Sequence, residues 1–227
     1  MNDLAYSGIN TTVRILEQQL LSKDIMNSLL ASKELHQALE VLQKTTYGFQ
    51  VDELLQTKQF DAVLMKHLKQ QYEELYELTP TPELLDIFSI RYTYHNLKVL
   101  LKEKFAKKDF SHLLVPIGRY SLATLKQLVE TRDSQDVPSV MVKAVREAYE
   151  DFENFERLET ADIFMDTYYF KHLRMLEREL QDDKVTEFIN LMIDLENIAT
   201  LIRASAQKQS RSFLQTVLSN EGRATSF

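Results

Sequence analysis

Glycine and proline, the residues that most readily end helices and shape tight turns, occupy only four positions each in this chain of 227. Average usage would place the pair at roughly 12% of positions, about three times as many. A chain with so few reversal points is poorly suited to a sheet-rich fold and well suited to long helices. The four glycines (Gly8, Gly48, Gly118 and Gly222) lie too far apart to share one phosphate-cradling loop. A P-loop and a dinucleotide fingerprint are thereby excluded together. The expected fold class is all-α, with no significant sheet.

The length allows one large domain or two small ones. Cysteine is absent, which rules out disulfides, a thiolate nucleophile and cysteine-ligated zinc. The net charge of −7 argues against general nucleic-acid binding through a basic surface. Met1-Asn2-Asp3-Leu4 shows no basic start of a signal peptide, and no run approaches the roughly 18 apolar residues of a membrane span.

Helical periodicity divides the chain. Apolar residues at 9, 13, 16 and 20 mark a first helix from Ile9 to Leu21, and Ser22 and Ser32 are expected to cap the next two, the second ending near Tyr47-Gly48. One helix is expected from Asp52 to Leu78, through Leu55, Phe60, Leu64, Leu68, Tyr72 and Leu75. Thr79-Pro80-Thr81-Pro82 stops it and starts the next, because proline disfavours helical geometry in the residue before it and is well placed at a first helical position. That helix should run from Glu83 to about Lys108. Pro116-Ile117-Gly118 reads as a turn and Asp133 to Pro138 as a polar break. Further helices are expected over 139–157 and 160–180 (capped by Thr160), and from Asp182-Asp183 to at least Ala204, with a short one around 213–218 before a loose end. The helix opened by Asp182-Asp183 has an unbroken apolar stripe of Phe188, Leu191, Leu195, Ile198 and Ile202.

Charge is uneven. Lys98 to Lys108 holds five lysines and one glutamate, whereas Glu147 to Asp166 holds eight acids and one arginine. Each run reads plainly as a solvated helix face, and more sharply as one of two complementary docking surfaces.

An internal repeat is also present. His95-Asn96-Leu97-Lys98-Val99-Leu100-Leu101-Lys102 lies over Glu196-Asn197-Ile198-Ala199-Thr200-Leu201-Ile202-Arg203, at the 101-residue offset that separates Asn96 from Asn197. Phe110 to Gly118 corresponds loosely to Phe213 to Gly222. Tandem helical units arise where one unit cannot cover its own apolar face. Each repeated asparagine is expected to hydrogen-bond a neighbouring helix end or loop backbone and fix register. The implied division is a first repeat domain over 1–118, a second over 119–218, and 219–227 as the start of a third repeat or a loose tail.

Catalytic patterns are missing. No two of His36, His67, His95, His112 and His172 lie at i, i+4, and none follows a glutamate by three residues. Asp109-x-x-His112 beside a turn reads as a cap. Asp162 and Asp166 could share a helix face and hold a cation, but the helix dipole alone accounts for an acid in a first turn. No Gly-x-Ser-x-Gly elbow is present. No catalytic, cofactor-binding or metal residue is assigned.

Several stretches resemble the C subunit of the prokaryotic V/A-type rotary ATPases, the relative of the eukaryotic d subunit. YSGINTTVRILEQQLL at 6–21 is similar to that family's opening helix, and TTYGF at 45–49 to its Thr-x-Tyr-Gly turn. RYTYHNLKVLLKEK at 91–104 resembles its Asn-Leu-Lys helix, and DIFMDTYYFKHL at 162–173 its spaced aspartates followed by Tyr-Phe. DLENIATLIRA at 194–204 resembles its Asp-x-x-Asn-Ile-x-x-x-x-Arg helix. The resemblance implies tandem helical domains around a pseudo-threefold axis, of which this chain would hold two of three, or about two thirds of a typical member. It implies a non-catalytic socket without cofactor, on the cytoplasmic face of the membrane. The socket would join the central shaft subunits to the membrane rotor ring and pass torque for ATP hydrolysis or synthesis coupled to H+ or Na+ transport. Asn96, Lys98, Asp194, Asn197 and Arg203 would be the structural residues of the repeat, and Lys102, Lys104, Lys107 and Lys108 would dock a partner. The chain's stop soon after the second repeat suggests a shortened piece with an exposed interdomain surface. Two other classes fit the composition: a soluble all-helical adaptor unrelated to ATPases, and a helical enzyme whose carboxylates hold a metal.

Overall fold

The computed structural model describes residues 6–48 and 50–223, and all the regular structure among them is helical. The chain forms two compact units that part at Pro80–Thr81.

The N-terminal unit holds α1 (Ser7–Gln18), α2 (Lys23–Ala31), α3 (Leu35–Gln43), α4 (Val51–Thr57) and α5 (Phe60–Leu78). Its core is small. Leu39, Val51 and Leu54 are buried, with Leu42, Tyr47, Leu55, Phe60 and Val63 packed around them. Ser22 caps α2 by accepting from the Ile25 N–H, whereas Ser32 ends α2 and α3 starts from Glu34. The single helix expected over 52–78 is broken: Lys58 takes the left-handed conformation at the end of α4 and Gln59 leads into α5. The apolar period runs across that break, so periodicity alone does not reveal it.

The C-terminal unit holds α6 (Pro82–Ala106), a 3-10 turn (Ser111–Leu113), α7 (Leu122–Thr131), α8 (Ser139–Phe155), α9 (Thr160–Leu180), α10 (Asp183–Ala206) and α11 (Arg211–Val217). Helix α6 is its axle. It buries Ile87, Ile90, Tyr94, Leu97, Leu100 and Leu101, and α9 lies along it and against α8. A helix buried on several sides shows little amphipathicity, and α6 is such a helix. Pro82 takes the first helical position, as expected. Asp182 caps α10 through the N–H groups of Lys184 and Val185. Helix α7 falls in a stretch with no sequence-based assignment, and Ser121 caps it by accepting from the Thr124 N–H at 3.1 Å. Thr160 opens α9 without capping it; its hydroxyl instead donates to Asp151 at 2.6 Å.

The shortage of glycine has a visible consequence. Helices α4, α6, α7, α8 and α9 end on Lys58, Lys107, Arg132, Glu156 and Gln181, all in the left-handed region usually given to glycine. Each L-residue there costs about 1–2 kcal/mol relative to the right-handed form.

The compact units do not follow the sequence repeat. The repeat reading would divide the chain at 118/119, whereas α6 has its core in the C-terminal unit against α7 and α9. Residues 219–223, read as a new repeat or a loose tail, are held by hydrogen bonds to α9 and α10; 224–227 lie outside the described residues.

Candidate functional site

The two repeated asparagines perform the same task. Asn96 on α6 accepts from the Val115 N–H at 2.8 Å and donates to the Val115 carbonyl at 2.7 Å. Asn197 on α10 makes the same pair with Ser219, both at 2.9 Å. A carboxamide carries a donor and an acceptor side by side, so it satisfies both backbone groups of one residue. Both asparagine side chains are buried, where unpaired polar atoms would be expensive.

Each clamped segment then turns at a glycine three residues later. Gly118 sits at φ 114°, and a side chain there would press on the Thr93 hydroxyl at 3.2 Å. A methyl group on Gly222 would collide with Asp194 Oδ1, the atom that accepts from the Arg223 N–H at 3.0 Å. Thr93 and Asp194 are also equivalent by the 101-residue offset. The turns are braced from outside: Arg119 pairs with Glu83 and Asp86, both at 3.0 Å, and Arg174 donates to Asn190 and to the Glu221 carbonyl.

The basic and acidic runs meet each other within the unit. Lys98 reaches Asp166 at 2.5 Å and Lys102 reaches Asp162 at 2.7 Å, tying α6 to α9. Lys104 reaches Glu130 on α7 at 2.7 Å. The two aspartates considered for a cation therefore hold lysines. Lys107 and Lys108 lie exposed at the end of α6. Arg203 is also exposed, 3.9 Å from Glu196 and donating to the Thr200 hydroxyl at 3.3 Å.

A cleft of about 770 Å³ opens among α6, α9, α10 and α11, and Arg91, Lys98, Arg203, Asp166 and Glu196 line it with charges of both signs. His95, also at this cleft, lies with Nε2 2.9 Å from the Leu113 carbonyl. Among the described residues no group of three or more His, Asp or Glu side chains converges as a metal site would. Asp109 acts as a local cap; the Ser111 N–H bonded to it holds its carboxyl below the usual range.

His172 is the one buried histidine among the described residues. Its Nδ1 lies 3.3 Å from the Tyr94 hydroxyl, and burial lowers its pKa to about 4, keeping the ring neutral. Burial raises the Tyr94 pKa well above its ordinary value. No sequence pattern marks this pair, because its members are 78 residues apart.

Helix α10 has two apolar faces. Val185, Ile189 and Ile193 point into the core. Phe188, Leu191, Leu195, Ile198 and Ile202, the stripe read from the sequence, form an exposed outer face.

Two carboxamide clamps, two glycine turns and a braced helix pair describe a repeated helical scaffold. The chain belongs to the ATP synthase (C/AC39) subunit family, whose model matches residues 9–226. It is 32% identical over 225 residues to the C subunit of the V-type sodium ATPase of Enterococcus hirae, covering 96% of this chain and 66% of that protein. It is 24% identical over 237 residues to the C subunit of the A-type ATP synthase of Methanocaldococcus jannaschii, covering 97% and 59%. With the counterpart from Thermococcus kodakarensis the identity is 22% over 222 residues, covering 94% and 60%. The chain thus spans just under two thirds of the length of these relatives. Among the described residues, no helix is long and apolar enough to cross a membrane.

Proposed function

We propose that this chain is the non-catalytic linker of a V/A-type rotary ATPase, a socket that joins the central shaft to the membrane rotor ring and passes torque between them. The observation that carries the reading is the family match over 9–226. In this role the chain binds no nucleotide; other subunits hydrolyse or make ATP, and H+ or Na+ crosses at the ring. It sits peripherally on the cytoplasmic face, with shaft subunits and ring as partners.

The geometry supports a torque-bearing body. Helix α6 is cross-braced to α9 and α7 by three lysine–carboxylate pairs, and the segment that follows it is held by Asn96. Asn96, Lys98, Asp194, Asn197 and Arg203 serve the repeat frame, with repeats over 1–118 and 119–218. Lys102 and Lys104 are engaged internally, which leaves Lys107 and Lys108 as the basic contribution to docking.

Capture of the purified chain by shaft subunits or by ring-containing vesicles tests the reading. Lys107→Glu with Lys108→Glu should weaken capture in low salt, where surface charge is least screened. Unchanged capture would return both lysines to a solvated helix face. Loss of all capture in the parent chain would favour the helical adaptor instead.

A further inference from the structure

A second cleft, of about 700 Å³, lies between α8, α9 and the 132–138 loop. Lys143, Arg146 and Lys171 line it against a single acid, Asp133, in a chain whose net charge is −7. The three cations are only partly engaged. Arg146 donates from Nε to the Arg132 carbonyl at 2.8 Å and from Nη2 to Asp133 at 3.0 Å, out of five N–H donors in a guanidinium. Lys143 is loosely paired, 3.7 Å from Glu147. Lys171 lies over the Tyr168 ring, 4.3 Å from its centroid, and among the described residues forms no ion pair. Helix α8 also begins at this cleft, through Ser139 and Val140. Among the described residues no side chain caps it, and no acid stands in its first turn. Tyr168, at the same cleft, is 2% exposed, and its hydroxyl is the one buried side-chain polar atom among the described residues without a hydrogen bond. The Glu147 carboxylate lies near it, outside bonding geometry. Burial and that carboxylate raise the pKa of the hydroxyl, which therefore stays a proton donor.

We propose that this cleft binds a phosphate monoester, its phosphate held by Lys143, Lys171 and the remaining donors of Arg146 at the start of α8, and its apolar body resting on Val137, Val140 and Val142. Lysine and arginine donors suit a tetrahedral dianion, and the N-terminus of a 17-residue helix adds to the attraction. The cleft is larger than a bare phosphate needs, and the valines give the rest of its wall an apolar character that suits an organic group. The site is independent of the linker role.

Phenyl phosphate, titrated into the full chain by isothermal calorimetry, is the probe. Saturable binding at one site is expected, and inorganic phosphate should bind several-fold more weakly. Lys143→Ala with Lys171→Ala should weaken binding at least about tenfold. Both lysines are exposed, so circular dichroism should show the fold intact. Asp133→Asn should tighten binding about threefold, because it releases Arg146. Lys126→Ala with Lys184→Ala, the same loss of charge at exposed positions outside the cleft, should leave binding unchanged. Phosphatidic-acid vesicles that displace phenyl phosphate would assign the monoester to a lipid headgroup; vesicles that do not would assign it to a soluble ester. Absence of saturable binding, indifference to the Lys143 and Lys171 changes, or an equal loss from the Lys126 and Lys184 changes would overturn the proposal. So would inorganic phosphate that binds as tightly as the ester.

Discussion

At the residue scale, the two asparagines carry the most structural consequence per side chain. Asn96→Ala leaves the N–H and carbonyl of Val115 without their partner, and Asn197→Ala does the same to Ser219. Each change should cost about 2–4 kcal/mol in chemical denaturation, since two backbone groups lose their bonds at once. A cost below about 1 kcal/mol would mean that water replaces the carboxamide. His172 gives a pH signature. Its folded pKa lies below its unfolded value, so the unfolded chain takes up the proton first as pH falls. The stability it contributes is complete above about 6.5 and is lost progressively toward about 4. That shift corresponds to a loss on the order of 3 kcal/mol. His172→Gln should flatten the stability profile in this window, and an unchanged profile would place the titration elsewhere. By contrast, Lys98–Asp166 and Lys102–Asp162 are partly exposed and worth at most about 1 kcal/mol each.

At the element scale, α10 separates what periodicity can and cannot say. Phe188, Leu191, Leu195, Ile198 and Ile202 are the cleanest helical stripe in the sequence, yet Val185, Ile189 and Ile193 are the side the unit buries. Both faces are apolar, so the pattern identifies the helix without revealing which face has a partner. Ile193→Ala should therefore cost about 2–4 kcal/mol, while Leu195→Gln or Ile198→Gln should stay within about 0.5 kcal/mol. Equal costs at the two faces, measured by urea denaturation, would contradict this division. Other boundaries were legible for local chemical reasons: Pro82, Ser22 and Asp182 mark helix starts through fixed φ or capping oxygens. The Lys58 break carries no glycine or proline, so nothing in composition announces it, whereas the ends at Lys107, Glu156 and Gln181 fall within one residue of those read from the helical pattern. The Asn96 clamp was legible because its counterpart stands 101 residues away in the same context. Its acceptor was not, because a backbone group has no sequence signature.

At the scale of the whole molecule, the two compact units differ in what holds them. The C-terminal unit has one extensive core built on α6, α8 and α9, whereas the N-terminal unit relies on Leu39, Val51 and Leu54 with a partly buried surround. Few buried apolar contacts mean low local stability. Amide hydrogens in α2 and α3 should exchange well before those of α6 and α9, and comparable protection in all four would show that the N-terminal unit has support beyond its small core. A braced, all-helical body is what a torque-passing linker requires, and the rotor role makes a demand that simple binding does not: both partners must be held at once. The most direct measurement is sedimentation of ring-containing vesicles with purified shaft subunits, with and without this chain. The linker account predicts that shaft sediments with the ring only when the chain is present; shaft recovery that is the same without it would contradict the account.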